Sequence, residues 1–233
     1  MKTFNQETKD IIVAEIIRHR EADQIRQGTY GEGSNGNWKG CAVGCAIHSL
    51  NLKLGKDYST SDHSVYEKEF GISRILARLQ DRIFEGLSVE ESKTWPENFM
   101  SAVPVDADLS LIWPKFIVWV LVDEVDGVIK FAKTDSQRTV IQNVADLYKR
   151  VIAGETVDSK TWRDAAAADA GAYAGAYAGA YAAAAAYAAY AAAAYAAYAA
   201  AAADAADAAA ARKIARFGFY TKMAAKLIEL LKE

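Results

Sequence analysis

The chain has 233 residues, of which 52% are hydrophobic, and its formal net charge is −3. This length supplies the core of one large domain or two small ones, and so small a charge gives no field that would recruit nucleic acid. The first residues contain no apolar signal core, and no stretch is both long and apolar enough to span a membrane. We therefore expect neither nucleic acid nor membrane as a partner.

Helical spacing of apolar residues predicts the first elements in chain order. Asn5 is expected to cap a helix that continues to about Ile25. Residues 27–40 contain five of the 15 glycines and are predicted to form a loop. The apolar residues from Cys41 to Leu52 then predict a short buried helix that ends at Gly55.

Three further helical segments follow before residue 105. A short helix is expected to start near Ser61 or Asp62 and to stop at Gly71, and an amphipathic helix with a solvated polar face is expected from Ile72 to Leu87. The segment Thr94-Trp95-Pro96-Glu97 has the pattern of a capping box, which predicts a third helix beginning there.

Leu111 to Val122 is apolar around its whole circumference, which favours a buried helix. The alternative is a small β-hairpin in which this segment pairs with Val128 to Phe131. Apolar residues then recur at helical spacing from Val140 to Ile152, and Gly154 is expected to end that helix.

The last third is dominated by alanine. From Asp164 to Ala211, 34 of 48 residues are Ala and seven are Tyr, a composition that predicts a long helix or a helical hairpin. Helical spacing places most of these tyrosines on one face and Gly171, Gly175 and Gly179 on the other, which favours packing or self-association. The final residues predict an amphipathic helix that docks on the rest of the protein. The expected fold is thus a mainly α helical bundle, with a helical body at 1–153 and an Ala/Tyr-rich helical region at 154–233.

Cys41, Cys45 and His48 share one face of the second helix, and His63 or His19 would complete a zinc site. Structural zinc usually takes its cysteine pairs from tight turns, so buried reduced thiols are favoured, and we expect neither a metal nor a cofactor. Reduced thiols fit a cytoplasmic location.

The segment Trp38-Lys39-Gly40-Cys41-Ala42-Val43-Gly44-Cys45 resembles the nucleophile helix of papain-like hydrolases, although the aromatic residue after the second cysteine is missing. The resemblance implies Cys45 as a nucleophile, with His48 or His63 as its base. A non-catalytic ligand or partner site is favoured over catalysis, and the alternative to both is an ordinary surface loop. Amides at the helix start, together with Lys39, would hold an anion there. The expected ligand-binding residues are Tyr30, Asn35, Asn37, Trp38, Lys39, His48 and His63.

The helix at Val140 to Gly154, the connector Glu155-Thr156-Val157-Asp158 and the Ala/Tyr/Asp tail resemble bacterial and phage-encoded immunity-type proteins, over residues 138–233. Thr29 to Val65 resembles phage proteins without an assigned activity. These resemblances imply a setting in conflict between phages and bacteria, and a location in the host cytoplasm if the chain is phage-encoded. The expected function is inhibition of host defence, by sequestering a nucleotide-like signal or by binding a defence protein. The alternatives are an enzyme that uses Cys45 and a structural protein that self-associates through its tail.

Overall fold

A computed structural model describes residues 4–33, 38–167 and 205–233. Within these ranges the protein is mainly helical, as its sequence predicts, and contains no extended strand. The helices are α1 (Gln6–Glu21), α2 (Ala42–Leu54), α3 (Ser64–Phe70), α4 (Arg74–Gly86), α5 (Val89–Ala102), α6 (Ile112–Val122), α7 (Asp135–Ile152), α8 (Ser159–Ala167) and α9 (Ala205–Leu231). None of these helices has the length and apolar character needed to cross a membrane.

The chain divides into two compact units, Met1–Ser110 with Phe217–Glu233, and Leu111–Arg216. In the first unit α1 packs against α2 and α5, and α4 packs against α2, α3 and α5. In the second unit α7 packs against α6 and α8. The core of the first unit is built from large side chains that are almost completely buried. They include Tyr66, Phe70, Phe84, Phe99, Ile12, Ile16, Ile47, Leu50, Ile72, Leu76 and Ile83.

Several predicted helix ends are confirmed. The Asn5 side chain accepts a hydrogen bond from the Thr8 amide at 2.8 Å, which caps α1. Gly55 ends α2 with a φ of 60°, in the left-handed region that glycine adopts without strain. Helix α7 covers the segment predicted from the spacing of Val140 to Ile152.

The predicted extension of α1 to Ile25 is wrong, because the helix ends at Glu21. Asp23 has a φ of 52°, which turns the chain out of the helix. Ile25 then forms a parallel bridge with Gly40. The residues predicted to form the last turn of α1 therefore lead into the Gly-rich loop instead, and Ile25 pairs with the far end of that loop at Gly40.

The hairpin considered for Leu111 to Phe131 is also wrong. Residues 112–122 form α6, and Val128–Phe131 form a short 3₁₀ helix. The turn between them is closed by a hydrogen bond from the Gly127 amide to the Asp123 carbonyl at 2.9 Å. Both segments satisfy their backbone groups locally, so neither needs a strand partner.

The predicted capping box at Thr94 to Glu97 lies inside a helix. Helix α5 begins six residues earlier, where Ser88 and Glu91 form the capping box. Glu97 instead pairs with Arg20 of α1, with 2.7 Å between charged atoms. The same pattern of hydroxyl and carboxylate three residues apart occurs twice here, and only the first instance caps a helix.

The C-terminal part of α9 buries the apolar stripe that its sequence predicts. Met223 and Leu227 are fully buried, and the Tyr220 ring lies against Gly86 at the end of α4. Thr221 donates a hydrogen bond to Glu91 of α5 at 2.8 Å. The last residues of the chain therefore complete the core of the first unit. The tyrosine and glycine faces predicted for the tail, with Gly171, Gly175 and Gly179, lie outside the described residues.

Candidate functional site

The Gly-rich loop at 27–40 is held at its base by backbone hydrogen bonds. The Arg26 amide donates to the Gly40 carbonyl at 2.9 Å. Glu32 and Lys39 form an antiparallel pair in which each amide donates to the other carbonyl at 2.9 Å. The described parts of the loop therefore have a fixed backbone, and their side chains project from defined positions.

The loop lies directly on the first turn of α2. The Tyr30 backbone passes so close to Gly44 that a methyl group on Gly44 would overlap the Tyr30 carbonyl oxygen. Cys41 caps the helix, and its Sγ accepts a hydrogen bond from the Gly44 amide at 3.4 Å. The sequence predicts an anion at these amides, but a thiol and a carbonyl already occupy the first turn.

Two predicted site residues, Trp38 and His48, come together as a stacked pair. Their ring centroids are 4.0 Å apart and their planes differ by 5°. The Trp38 ring also covers Gly40, where a methyl group would come within 2.5 Å of a ring carbon. His19 joins the cluster, with its ring centroid 5.4 Å from that of Trp38. Through this aromatic cluster, Trp38 at the end of the loop packs against His19 of α1 and His48 of α2.

His19 is predicted to make the protein less stable in acid. It is buried between Gln24 and Ser49, with Nδ1 2.6 Å from the Gln24 amide oxygen and Nε2 3.2 Å from the Ser49 hydroxyl. Burial lowers the pKa of His19 below 6.5 in the folded state, so the unfolded chain binds the proton more tightly. This contribution to stability is complete above the unfolded pKa and is lost as the pH falls towards the folded pKa.

Thermal unfolding between about pH 7.5 and about pH 5.5 measures this effect, because the window brackets the ordinary histidine pKa. The parent protein should lose more stability over the window than His19→Gln, which retains hydrogen-bonding groups but does not titrate. Equal slopes for the two proteins would show that His19 does not contribute to the pH dependence.

Two other predicted site residues, Tyr30 and His63, meet at a carboxylate that sequence reasoning missed. The Tyr30 hydroxyl donates to Asp81 Oδ2 at 3.1 Å, and His63 Nε2 lies 3.2 Å from the same oxygen. Burial, followed by the nearby Asp81 charge, raises the pKa of Tyr30 to about 12. The polar residues of α4, Asp81 among them, are predicted from the sequence to be solvated, but Asp81 is only 8% exposed. Its partners come from the loop and from the start of α3, so no local spacing indicates its burial.

Asp81 also lies close to a thiol and a second carboxylate. One potential ligand atom from each of Cys41, Asp81 and Glu85 lies within 4.8 Å of the other two. Burial, and then the Asp81 carboxylate, raises the pKa of the Cys41 thiol. Burial also raises the pKa of Glu85, although the Gly28 amide donates to its oxygens at 3.0 and 3.1 Å. Among the described residues, this is the group whose geometry suits a metal ion.

The zinc site considered for Cys41, Cys45 and His48 does not form. Cys45 is fully buried, its thiol donates to the Gly40 carbonyl at 3.4 Å, and His48 stacks on Trp38 instead. Burial raises the pKa of the Cys45 thiol, which is the opposite of what a nucleophile needs. The geometry therefore gives no support to Cys45 as a catalytic residue.

The Cys45 thiol is predicted to resist alkylation in the folded protein. Thiolate is the reactive form, and Cys45 is both fully covered and held in the protonated state. Iodoacetamide labelling of Cys41→Ala, followed by intact-mass measurement, should show no adduct until denaturant is added. The denatured variant is the control for reagent activity. Rapid labelling of the folded variant at neutral pH would restore the nucleophile hypothesis.

Lys39, which follows Trp38 in the chain, contributes to a small charged surface with Asp23 and Lys93. Its Nζ lies 4.0 Å from Asp23 Oδ2, and Lys93 Nζ lies 3.4 Å from the other oxygen of Asp23. Asp23 is largely exposed, since 72% of its side chain is accessible.

The predicted site residues Asn35 and Asn37 lie outside the described residues. Five of the seven predicted residues can therefore be placed, in two clusters and one charged surface.

Comparison of the chain with protein-family models, curated proteins and solved structures gave no match. The structure defines only a fold class: a mainly α-helical protein in which the described parts of a Gly-rich loop pack on the start of α2. Any function has to be argued from the loop and the groups around it.

Proposed function

We propose that the protein is a non-catalytic binding protein that inhibits host defence in conflict between phages and bacteria. Its ligand would be nucleotide-like, and its site would be the outer surface of the Gly-rich loop at 27–40. The observation that carries the proposal is the pair of lysines, Lys39 and Lys93, that converge on the exposed Asp23 beside this loop.

The lysine pair is suited to a phosphate because its present partner is weakly held. Asp23 is largely exposed, and ion pairs between exposed side chains contribute little to stability, about 0–1 kcal/mol. A phosphate group would take the place of the Asp23 carboxylate without opening the core. Lysine ammonium groups bind phosphate through charge and hydrogen bonds.

Aromatic and hydrogen-bonding groups on the same loop supply the remaining contacts of a nucleotide site. Trp38 is half-buried and adjoins Lys39 in the chain, and Tyr30 is 40% exposed. Aromatic rings provide faces and edges on which a base can pack. Because backbone hydrogen bonds already hold the described ends of the loop, binding would require little further loss of conformational freedom there.

Two further considerations favour binding over catalysis and suggest the biological setting. Both cysteines are buried with raised thiol pKa values, which removes the best nucleophile candidates. The setting comes from the resemblance of residues 138–233 to immunity-type proteins. A protein partner is the alternative occupant of the loop surface.

The nature of the ligand is tested by what the full-length protein retains from bacterial cells. The purified protein is denatured, and released small molecules are identified by mass spectrometry. We expect a phosphorylated nucleotide from the parent, a much smaller amount from Lys39→Glu, and the parent amount from Lys53→Glu. Lys53 is the matched control, since it is a partly exposed lysine that pairs with Glu15 at 3.0 Å. Equal retention by both variants, or no nucleotide with a protein recovered instead, would contradict the nucleotide proposal.

A further inference from the structure

Cys41, Asp81 and Glu85 bring a thiol and two carboxylates together from two helices. Cys41 is the cap of α2, whereas Asp81 and Glu85 lie one turn apart on α4. Their donor atoms lie within 4.8 Å of one another. Zinc bonds of about 2.0–2.3 Å place tetrahedral donors about 3.5 Å apart, so the three groups need to close by only about 1 Å.

Asp81 provides an independent indication that a ligand belongs in this cluster. Its Oδ2 is held by Tyr30 and His63, whereas its Oδ1 is buried and, apart from the neighbouring Cys41 thiol, has no hydrogen-bond partner among the described residues. Buried carboxylate oxygens without a partner are rare, because desolvation is then not compensated. A cation bound at Oδ1 would provide that compensation.

We propose that Cys41 Sγ, Asp81 Oδ1 and a Glu85 carboxylate oxygen bind a zinc ion. A thiolate donor selects a thiophilic metal over Mg²⁺ or Ca²⁺, and three protein donors leave one tetrahedral position for solvent. On binding, the Cys41 thiol releases its proton to solvent, and its sulfur lone pair forms the bond to zinc. No redox change is required.

The surrounding groups are placed as supports for such an ion. The Gly28 amide orients Glu85, while the Tyr30 hydroxyl and His63 orient Asp81 through its other oxygen. Burial, with the Asp81 charge as a smaller cause, raises the pKa values of Cys41 and Glu85, and a bound cation would offset both effects. Since Gly28 and Tyr30 belong to the loop, the metal would also fix the loop on α4. This inference does not depend on the proposed nucleotide ligand.

The test is titration of chelator-treated, reduced full-length protein with Zn²⁺ by calorimetry, and with Co²⁺ by absorbance. We expect one ion per chain and the ultraviolet charge-transfer band of a cobalt–thiolate bond. Glu85→Gln should weaken zinc binding at least tenfold, because the amide is a much poorer ligand. Cys41→Ala should abolish the cobalt–thiolate band.

Two variants serve as matched controls. Cys45→Ala removes the other buried thiol of α2, and Glu90→Gln removes an exposed carboxylate at the start of α5. Both should bind Zn²⁺ like the parent. Circular dichroism confirms folding of each variant, and Glu85→Gln is informative even if Cys41→Ala does not fold, because Glu85 is only half-buried. No stoichiometric zinc binding by the parent, a cobalt spectrum without the thiolate band, or parent-like zinc affinity in folded Glu85→Gln would overturn the proposal.

Discussion

Gly44→Ala should lower the free energy of unfolding by about 2 kcal/mol, although alanine is the better helix former. Alanine in place of glycine inside a helix normally stabilises by about 1 kcal/mol. At Gly44 the added methyl group would overlap the Tyr30 carbonyl, and forcing apart packed backbone costs about 3 kcal/mol. The packing of the loop on α2 therefore decides the sign of the change.

Gly218→Ala is the control, because Gly218 lies inside α9 and a methyl group there would meet no atom within 4 Å. Chemical denaturation of both variants beside the parent measures the difference. Gly218→Ala should be as stable as the parent or more stable. If Gly44→Ala is stabilised to the same extent, the loop does not lie on the first turn of α2.

Leu227→Ala should lower the free energy of unfolding by about 3 kcal/mol, as large-to-small changes in well-packed cores do. Leu227 is fully buried in the first unit, although it lies more than a hundred residues from the helices of that unit. The loss combines removed apolar contact with the cavity that remains.

Ile214→Ala is the matched control on the same helix, because Ile214 is 71% exposed. It removes as many carbon atoms as Leu227→Ala does, but most of their surface is already in contact with water. Denaturation should place Ile214→Ala within about 0.5 kcal/mol of the parent. Equal losses at the two positions would mean that the end of α9 is not docked in the core.

Helix existence could be predicted because its signals are local. The cap at Asn5, the glycine after α2 and the apolar spacing of α7 each lie within one or two turns of chain. Predicted helix ends were wrong where a tertiary contact determines the end of the helix. Ile25 fits the apolar spacing of α1, but its bridge to Gly40 takes it out of the helix.

The site was predicted in part, because the loop is conspicuous in the sequence while its partners are not. The loop composition pointed to Tyr30 and Trp38, and the structure gives them His63 and His48 as partners. Asp81 and Glu85 could not be found, because an acidic residue on an amphipathic helix normally faces water. Their proximity to Cys41 depends on the packing of α2 on α4, which has no local sequence signal.

The most direct measurement of the central claim is calorimetric titration of the full-length protein with nucleotides. The panel contains ribonucleoside monophosphates, triphosphates and cyclic dinucleotides. The comparison is between the parent, the double variant Lys39→Ala/Lys93→Ala, and the control Lys149→Ala/Lys160→Ala. The control removes two lysines that pair with Asp146 and Asp164. It therefore changes the net charge by the same amount as the loop double variant does.

The proposed function predicts that the parent binds at least one member of the panel. The same nucleotide should bind the loop double variant at least tenfold more weakly and the control like the parent, because two phosphate contacts are lost only in the former. No binding by the parent, or equal weakening in both double variants, would contradict a nucleotide-binding site at Lys39 and Lys93.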